Sequence, residues 1–121
     1  MEHKNERRNY PRVKDENVSV KLSGEGFNTI TQSLDLSASG VYCKVAERIP
    51  LMTRVQVVLV LPAKQNSSSV TMNVEGVVVR ENSLKKDGKV EQYDIAIFFS
   101  SLLPKERKQL MQYISRKLIQ S

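Results

Sequence analysis

A chain of 121 residues with 40% hydrophobic content can bury one core and leaves no room for a second domain. A single cysteine excludes an intramolecular disulfide, a single histidine excludes a multi-histidine metal centre, and no apolar run approaches the roughly 20 residues of a membrane-spanning helix. The net charge of +6 gathers at the ends: residues 1–14 hold five Lys/Arg against two Glu, residues 102–121 hold five against one, and the body between them holds nine against ten. That distribution favours a localised anion site over a general nucleic-acid surface.

Residues 1–14 show no hydrophobic periodicity, and Pro11 drives Tyr10 away from the helical region, so this segment is expected to be a flexible basic arm. It contains no apolar h-region, which makes a reducing, cytoplasmic setting the expectation. Val18, Val20 and Leu22 alternate with polar residues, the pattern of a strand with one buried face. Gly24-Glu25-Gly26 turns the chain, and Phe27 to Leu36 returns as a second strand with Ile30, Leu34 and Leu36 on one face. After the polar break at Ser37 to Gly40, a third strand turns Val41, Cys43 and Val45 inward. A fourth alternates Val55, Val57, Leu59 and Leu61 up to Pro62, and Lys64 to Ser69 reads as a loop. Val70, Met72 and Val74 lead into Gly76, where Val77 and Val79 predict a change of phase and hence a bulge or tight bend. Asn82 to Val90 is expected to be a hairpin loop, with Tyr93, Ile95, Ile97 and Phe99 forming the last strand. Pro104 then opens an amphipathic helix whose packing stripe is Leu110, Met111, Ile114 and Leu118.

Short strands separated by turn residues predict an all-β fold with a C-terminal helix, a closed or partly closed six-stranded antiparallel, Greek-key-like β-barrel plugged by that helix. The expected organisation is one domain with an arm at 1–14, a barrel at 15–101 and a helix at 102–121.

Catalytic groups are scarce. His3 lies in the arm, Cys43 has the inward parity of a buried small hydrophobe, and no pair of carboxylates stands at a telling spacing. No catalytic residue, metal ligand or cofactor is expected, and the chain does not read as an enzyme. Arginines do stand out: Arg7, Arg8 and Arg12 lie within six residues. A guanidinium pairs bidentately with phosphate, stacks on bases, and can take both O6 and N7 of guanine. Asp35 offers a carboxylate suited to the N1 and N2 donors on the opposite edge of that base, Ser37 a hydroxyl, and Gly40 an unhindered backbone. Each half alone is commonplace, since two arginines four apart occur in any basic chain and Asp35 to Gly40 suits an ordinary turn between strands.

Together, Arg8-Asn9-Tyr10-Pro11-Arg12 and Asp35-Leu36-Ser37-Ala38-Ser39-Gly40 resemble the two signatures of the PilZ domain family. Those signatures are Arg-x-x-x-Arg in an N-terminal loop and Asp/Asn-x-Ser-x-x-Gly after the second strand of a six-stranded barrel. The resemblance runs from about Glu6 to Ile119. It implies binding of cyclic di-GMP, the bacterial second messenger, with Arg8 and Arg12 on phosphate and guanine, Asp35 and Ser37 hydrogen-bonded to the ligand near Gly40, and Arg7 adding a further contact. Ala96 departs from the glycine that many members carry in the last strand, a difference remote from both motifs that bears on packing.

The expectation is therefore a cyclic di-GMP receptor whose arm wraps over the ligand and alters the surface offered to a downstream protein, regulating a process such as motility or biofilm formation. The alternative is a barrel of the same family that serves as a protein-interaction adaptor without nucleotide. Nucleic-acid binding is not expected, because three Phe, four Tyr and no Trp supply few stacking platforms.

Overall fold

In the computed structural model, which describes residues 11–15, 17–62 and 68–120, the alternating segments form β1 (Ser19–Gly24), β2 (Phe27–Leu36), β3 (Gly40–Val45), β4 (Arg54–Leu61), β5 (Val70–Lys86) and β6 (Lys89–Ser101). A single helix among the described residues, α1 (Pro104–Gln120), follows. The strands close in the order β1-β2-β3-β6-β5-β4, every pair antiparallel, and the β1–β4 pairing completes the ring. This is the expected six-stranded barrel with a C-terminal helix. Arg7, Arg8 and the first part of the Lys64 to Ser69 loop lie outside the described residues.

Strand alternation sends one face of each strand into a common core. Val20 and Leu22 from β1, Val57 and Leu59 from β4, and Ile95 and Ile97 from β6 are all buried. Each such side chain contributes about 1.5–3 kcal/mol through burial, which makes strand parity the main determinant of register. No helix among the described residues is long and apolar enough to cross a membrane.

Three expectations about parity and loop length need correction. Ile30 is 73% exposed while Ser33 and Leu36 are buried, because the β2–β3 register shifts between Ser33 and Asp35 and reverses the inward face within β2. On β5 the buried residue after Gly76 is Val78, and Val79 is exposed. The pairing with β6 does shift at Glu75/Gly76, but the inward face changes only at the second shift, between Val78 and Arg80. Finally, Asn82 to Val90 is not a loop: β5 runs to Lys86 and β6 starts at Lys89, joined by Asp87 and Gly88 alone. Both adopt left-handed φ values, 54° and 80°, the conformation that a two-residue hairpin turn requires at both central positions and that Asp-Gly favours.

The helix begins as its sequence directs. Pro104 occupies the first helical position, where its missing N–H costs nothing, and the Glu106 side chain accepts a hydrogen bond from the Leu103 N–H at 3.0 Å. Leu110, Tyr113 and Ile114 join the core, whereas Met111 and Leu118 are partly exposed at 39% and 43%. The packing face is thus rotated from the expected stripe and centred on Leu110.

Candidate functional site

The second signature lies where β2 gives way to β3. The Ser37 N–H donates to the Gly40 carbonyl at 3.0 Å, and the Ser37 hydroxyl accepts from the Ser39 N–H at 3.1 Å and lies 3.0 Å from the Ser39 hydroxyl. This is a serine-closed turn. It is fastened to β6, because the Phe99 N–H donates to the Ser39 carbonyl at 2.9 Å. Gly40 is required by crowding rather than by an unusual φ: a Cβ there would collide with the carbonyl oxygen of Ile97 on β6. Ser37 is buried, and its hydroxyl is committed within the turn.

The root of the arm is pinned beside this turn. Val13 and Leu36 exchange two backbone hydrogen bonds, 2.9 and 2.8 Å, in an antiparallel bridge. Continuing that register sets Arg12 across from Ser37, and the Arg12 Nη1 reaches the Asp35 Oδ2 at 3.5 Å. The Arg12 side chain is 62% exposed and that of Asp35 24%. The second Asp35 oxygen, Oδ1, is buried with no hydrogen-bond partner among the described residues. A carboxylate with an acceptor that no described residue satisfies therefore stands beside an exposed guanidinium, an arrangement able to receive a ligand that brings both hydrogen-bond donors and negative charge. The structure brings together four expected residues, Arg12, Asp35, Ser37 and Gly40; Arg7 and Arg8 lie outside the described residues.

Two further anchors hold the region. The buried Asp15 carboxylate accepts a hydrogen bond from the Tyr113 hydroxyl of α1 and, at its other oxygen, from the Asn17 N–H at 3.0 Å, while Lys117 Nζ approaches to 3.9 Å. The Asp15 carbonyl accepts from the Ser33 hydroxyl. Burial, then the hydrogen bond to Asp15, pushes the Tyr113 phenol pKa upward, so the phenol stays protonated and donating. Higher along the site, Arg107 Nη1 donates to the Ala38 carbonyl at 3.1 Å, joining α1 to the signature turn itself. Asp15 has no motif in its polar neighbourhood. Tyr113 had a signal, since it lies three residues after Leu110 on the helix face that is buried.

A cavity of about 590 Å³ opens elsewhere, between the β1–β2 turn and the β3–β4 loop, lined by residues that include Phe27, Arg48, Ile49 and Arg54. It holds none of the converging residues. Phe27 and Asp35 are separated by most of β2, roughly 25 Å at strand rise. Cys43 takes no part in either place: burial, with a smaller contribution from the Asp94 charge, pushes its thiol up to about 12. No group of three or more His, Cys, Asp or Glu suited to a metal ion occurs among the described residues.

Comparison with known proteins identifies the fold and the family. The family model described as PilZ domain matches residues 6–116. Among solved structures, the inhibitor of motility MotI/DgrA of Bacillus subtilis superposes with a TM-score of 0.80 at 21% identity, covering 94% of this chain and 52% of that one. The PilZ domain of YcgR from Escherichia coli, solved with c-di-GMP, gives 0.67 at 13% identity over 94% and 95%. MrkH of K. pneumonia, described as a c-di-GMP dependence transcription regulatory factor, gives 0.69 at 14% identity over 93% and 51%. The chain thus spans about half the length of MotI and of MrkH, and at these identities the likenesses concern the fold. No curated protein sequence matches it. With the family model covering both signatures and the barrel and helix in place around them, this chain belongs to the PilZ domain family.

Proposed function

We propose that the chain is a receptor for cyclic di-GMP and performs no catalysis. The observation that carries the reading is the convergence of Arg12 and Asp35, an exposed guanidinium beside a carboxylate with one buried oxygen that no described residue satisfies, at the rim of the Ser37–Gly40 turn. Arg12 and Arg8 would grip phosphate and the O6/N7 edge of guanine, Asp35 would accept from N1 and N2, and Arg7 would add a further cationic contact. Ser37 shapes the turn, and Gly40 keeps β6 close enough to support it. Support also comes from the neighbouring YcgR domain, which was solved with this ligand.

The ligand would break the Arg12–Asp35 pair and take both partners, drawing the arm over the barrel and changing the surface offered to a downstream partner. That partner is proposed to be a protein in the cytoplasm of a bacterium, acting in motility or biofilm formation; the neutral body between basic ends speaks against a general nucleic-acid surface. Calorimetry with cyclic di-GMP on the native chain, Arg8→Ala and Asp35→Ala tests the reading. Loss of one charge-assisted contact should weaken binding by about ten- to a hundredfold. Equal affinity in all three proteins would sink the site assignment, and no binding to the native chain would return the adaptor alternative.

A further inference from the structure

We infer that Arg107 and Tyr113 of α1 are positioning residues for the nucleotide site: neither stands in the Arg12–Asp35 pair, but each holds one of its two halves. The inference rests on the cyclic di-GMP reading and extends it to the helix. The proposed ligand groups sit on two separate stretches of chain, the arm root and the signature turn. Each is tied to the same helix. Arg107 donates to the Ala38 carbonyl in the middle of the turn, and Tyr113 donates to the carboxylate of Asp15, two residues beyond the Val13–Leu36 bridge that places Arg12. Between these two ties the helix packs closely, with Pro11 of the arm, Ala38 of the turn, and Met111, Ile114 and Ser115 of α1 lining one small gap. Helix, turn and arm root therefore meet at one junction.

The chemistry of the ties suits positioning. The Ala38 carbonyl belongs to a nearly buried residue, so losing its guanidinium donor costs the turn a charge-assisted hydrogen bond that little else can replace. Asp15 is buried at 6% exposure, and the Tyr113 hydroxyl offsets its desolvation together with Asn17 and Lys117. Removing either donor frees one half of the site to shift against the other. Recognition of a rigid two-sided ligand tolerates such a shift poorly, because the loosened halves must be reordered on binding. By reciprocity, ligand bound across both halves must tighten α1 on the barrel.

The test measures cyclic di-GMP affinity and thermal unfolding for the native chain, Tyr113→Phe, Arg107→Ala and Arg107→Lys, with hydrogen exchange of the α1 amides with and without ligand. The expected result is weakening by about fivefold or more in Tyr113→Phe and Arg107→Ala, in proteins that still melt in one cooperative transition. Arg107→Lys, which keeps one charged donor, should recover part of the loss. Saturating ligand should slow exchange in the native α1. Variants that melt lower yet bind as tightly as the native chain would reduce both residues to structural roles and overturn the inference, as would helix exchange indifferent to ligand. A native chain that binds no cyclic di-GMP overturns the receptor reading first and this inference with it.

Discussion

Gly40 and Ile97 approach so closely that no side chain fits between them: a Cβ on Gly40 would collide with the carbonyl oxygen of Ile97, and Gly40 pairs directly with the next residue, Phe98. This contact fixes the Ser37–Gly40 turn, which follows Asp35 at the end of β2, against β6, so a change at the glycine reaches the proposed site through the barrel wall. Gly40→Ala must push β3 off β6 or distort the turn, because the obstacle is backbone and has little freedom to yield. The expected cost is about 1–3 kcal/mol of stability, as for other overpacked positions, with cyclic di-GMP affinity falling as well. Denaturant unfolding followed by calorimetry checks both, and an unaltered midpoint would show that the wall relaxes more easily than its register suggests.

Arg12 and Asp35 invite a prediction of the opposite kind. Their ion pair is 3.5 Å long and the Arg12 side chain is 62% exposed, so solvent screens it and its worth to folding is about 0–1 kcal/mol. Its worth to a phosphate or guanine held at the proposed site would be larger, since such a ligand removes water from the guanidinium. Arg12→Ala should therefore unfold within about 1 kcal/mol of the native chain while binding cyclic di-GMP about ten- to a hundredfold more weakly. Comparable losses in both measurements would mean that Arg12 mainly holds the arm root in place.

Cys43 makes the alkaline side of the stability curve informative. Its folded-state thiol is pushed from 9.0 up to about 12 by burial and by Asp94, so between those values the unfolded chain has lost a proton that the folded chain keeps. Stability from this group is complete below about pH 9 and declines by up to about 1.4 kcal/mol per pH unit as pH rises toward the folded value. Cys43→Val, of similar size and without a proton to lose, should show a shallower decline between pH 9 and 11 in urea unfolding. In the native protein at pH 8 the thiol should also resist a disulfide reagent until urea is added. A native thiol that reacts at once would contradict its burial.

What the sequence makes legible, and what it hides, follows the range of the interactions. Val55, Val57, Leu59 and Leu61 on β4 are read correctly because β4 pairs without a shift against both β1 and β5, and simple alternation then describes it. Ile30 and Val79 are misread because their exposure depends on register shifts against a neighbouring strand, and a shift belongs to the pair rather than to either strand. The Lys85 to Lys89 stretch looks like a loop by charge, yet Asp87-Gly88 is a local signal strong enough to make it a tight hairpin. That Asp35, Ser37 and Gly40 lie together at the β2–β3 junction is legible because they are compressed into six residues. Asp15 and Tyr113, 98 positions apart, are joined only by the folded helix, and nothing near either residue announces the other.

The shift between Val78 and Arg80 can itself be tested by two adjacent substitutions. Val78 is buried at 0% exposure within β5, and its neighbour Val79 is 52% exposed at the point where the pairing with β6 slips by one residue. Regular alternation through Gly76 with a change of phase there would bury Val77 and Val79 instead. The two readings predict opposite stability orders, since only truncation of an inward side chain removes transfer energy and leaves a cavity. Val78→Ala should cost about 2–3 kcal/mol and Val79→Ala less than about 0.5 kcal/mol. Urea midpoints of the two variants decide the order directly. If Val79→Ala proves the more damaging, the bulge has been placed on the wrong side of Val78, and the outer face of β5 would have to be redrawn from Gly76 onward.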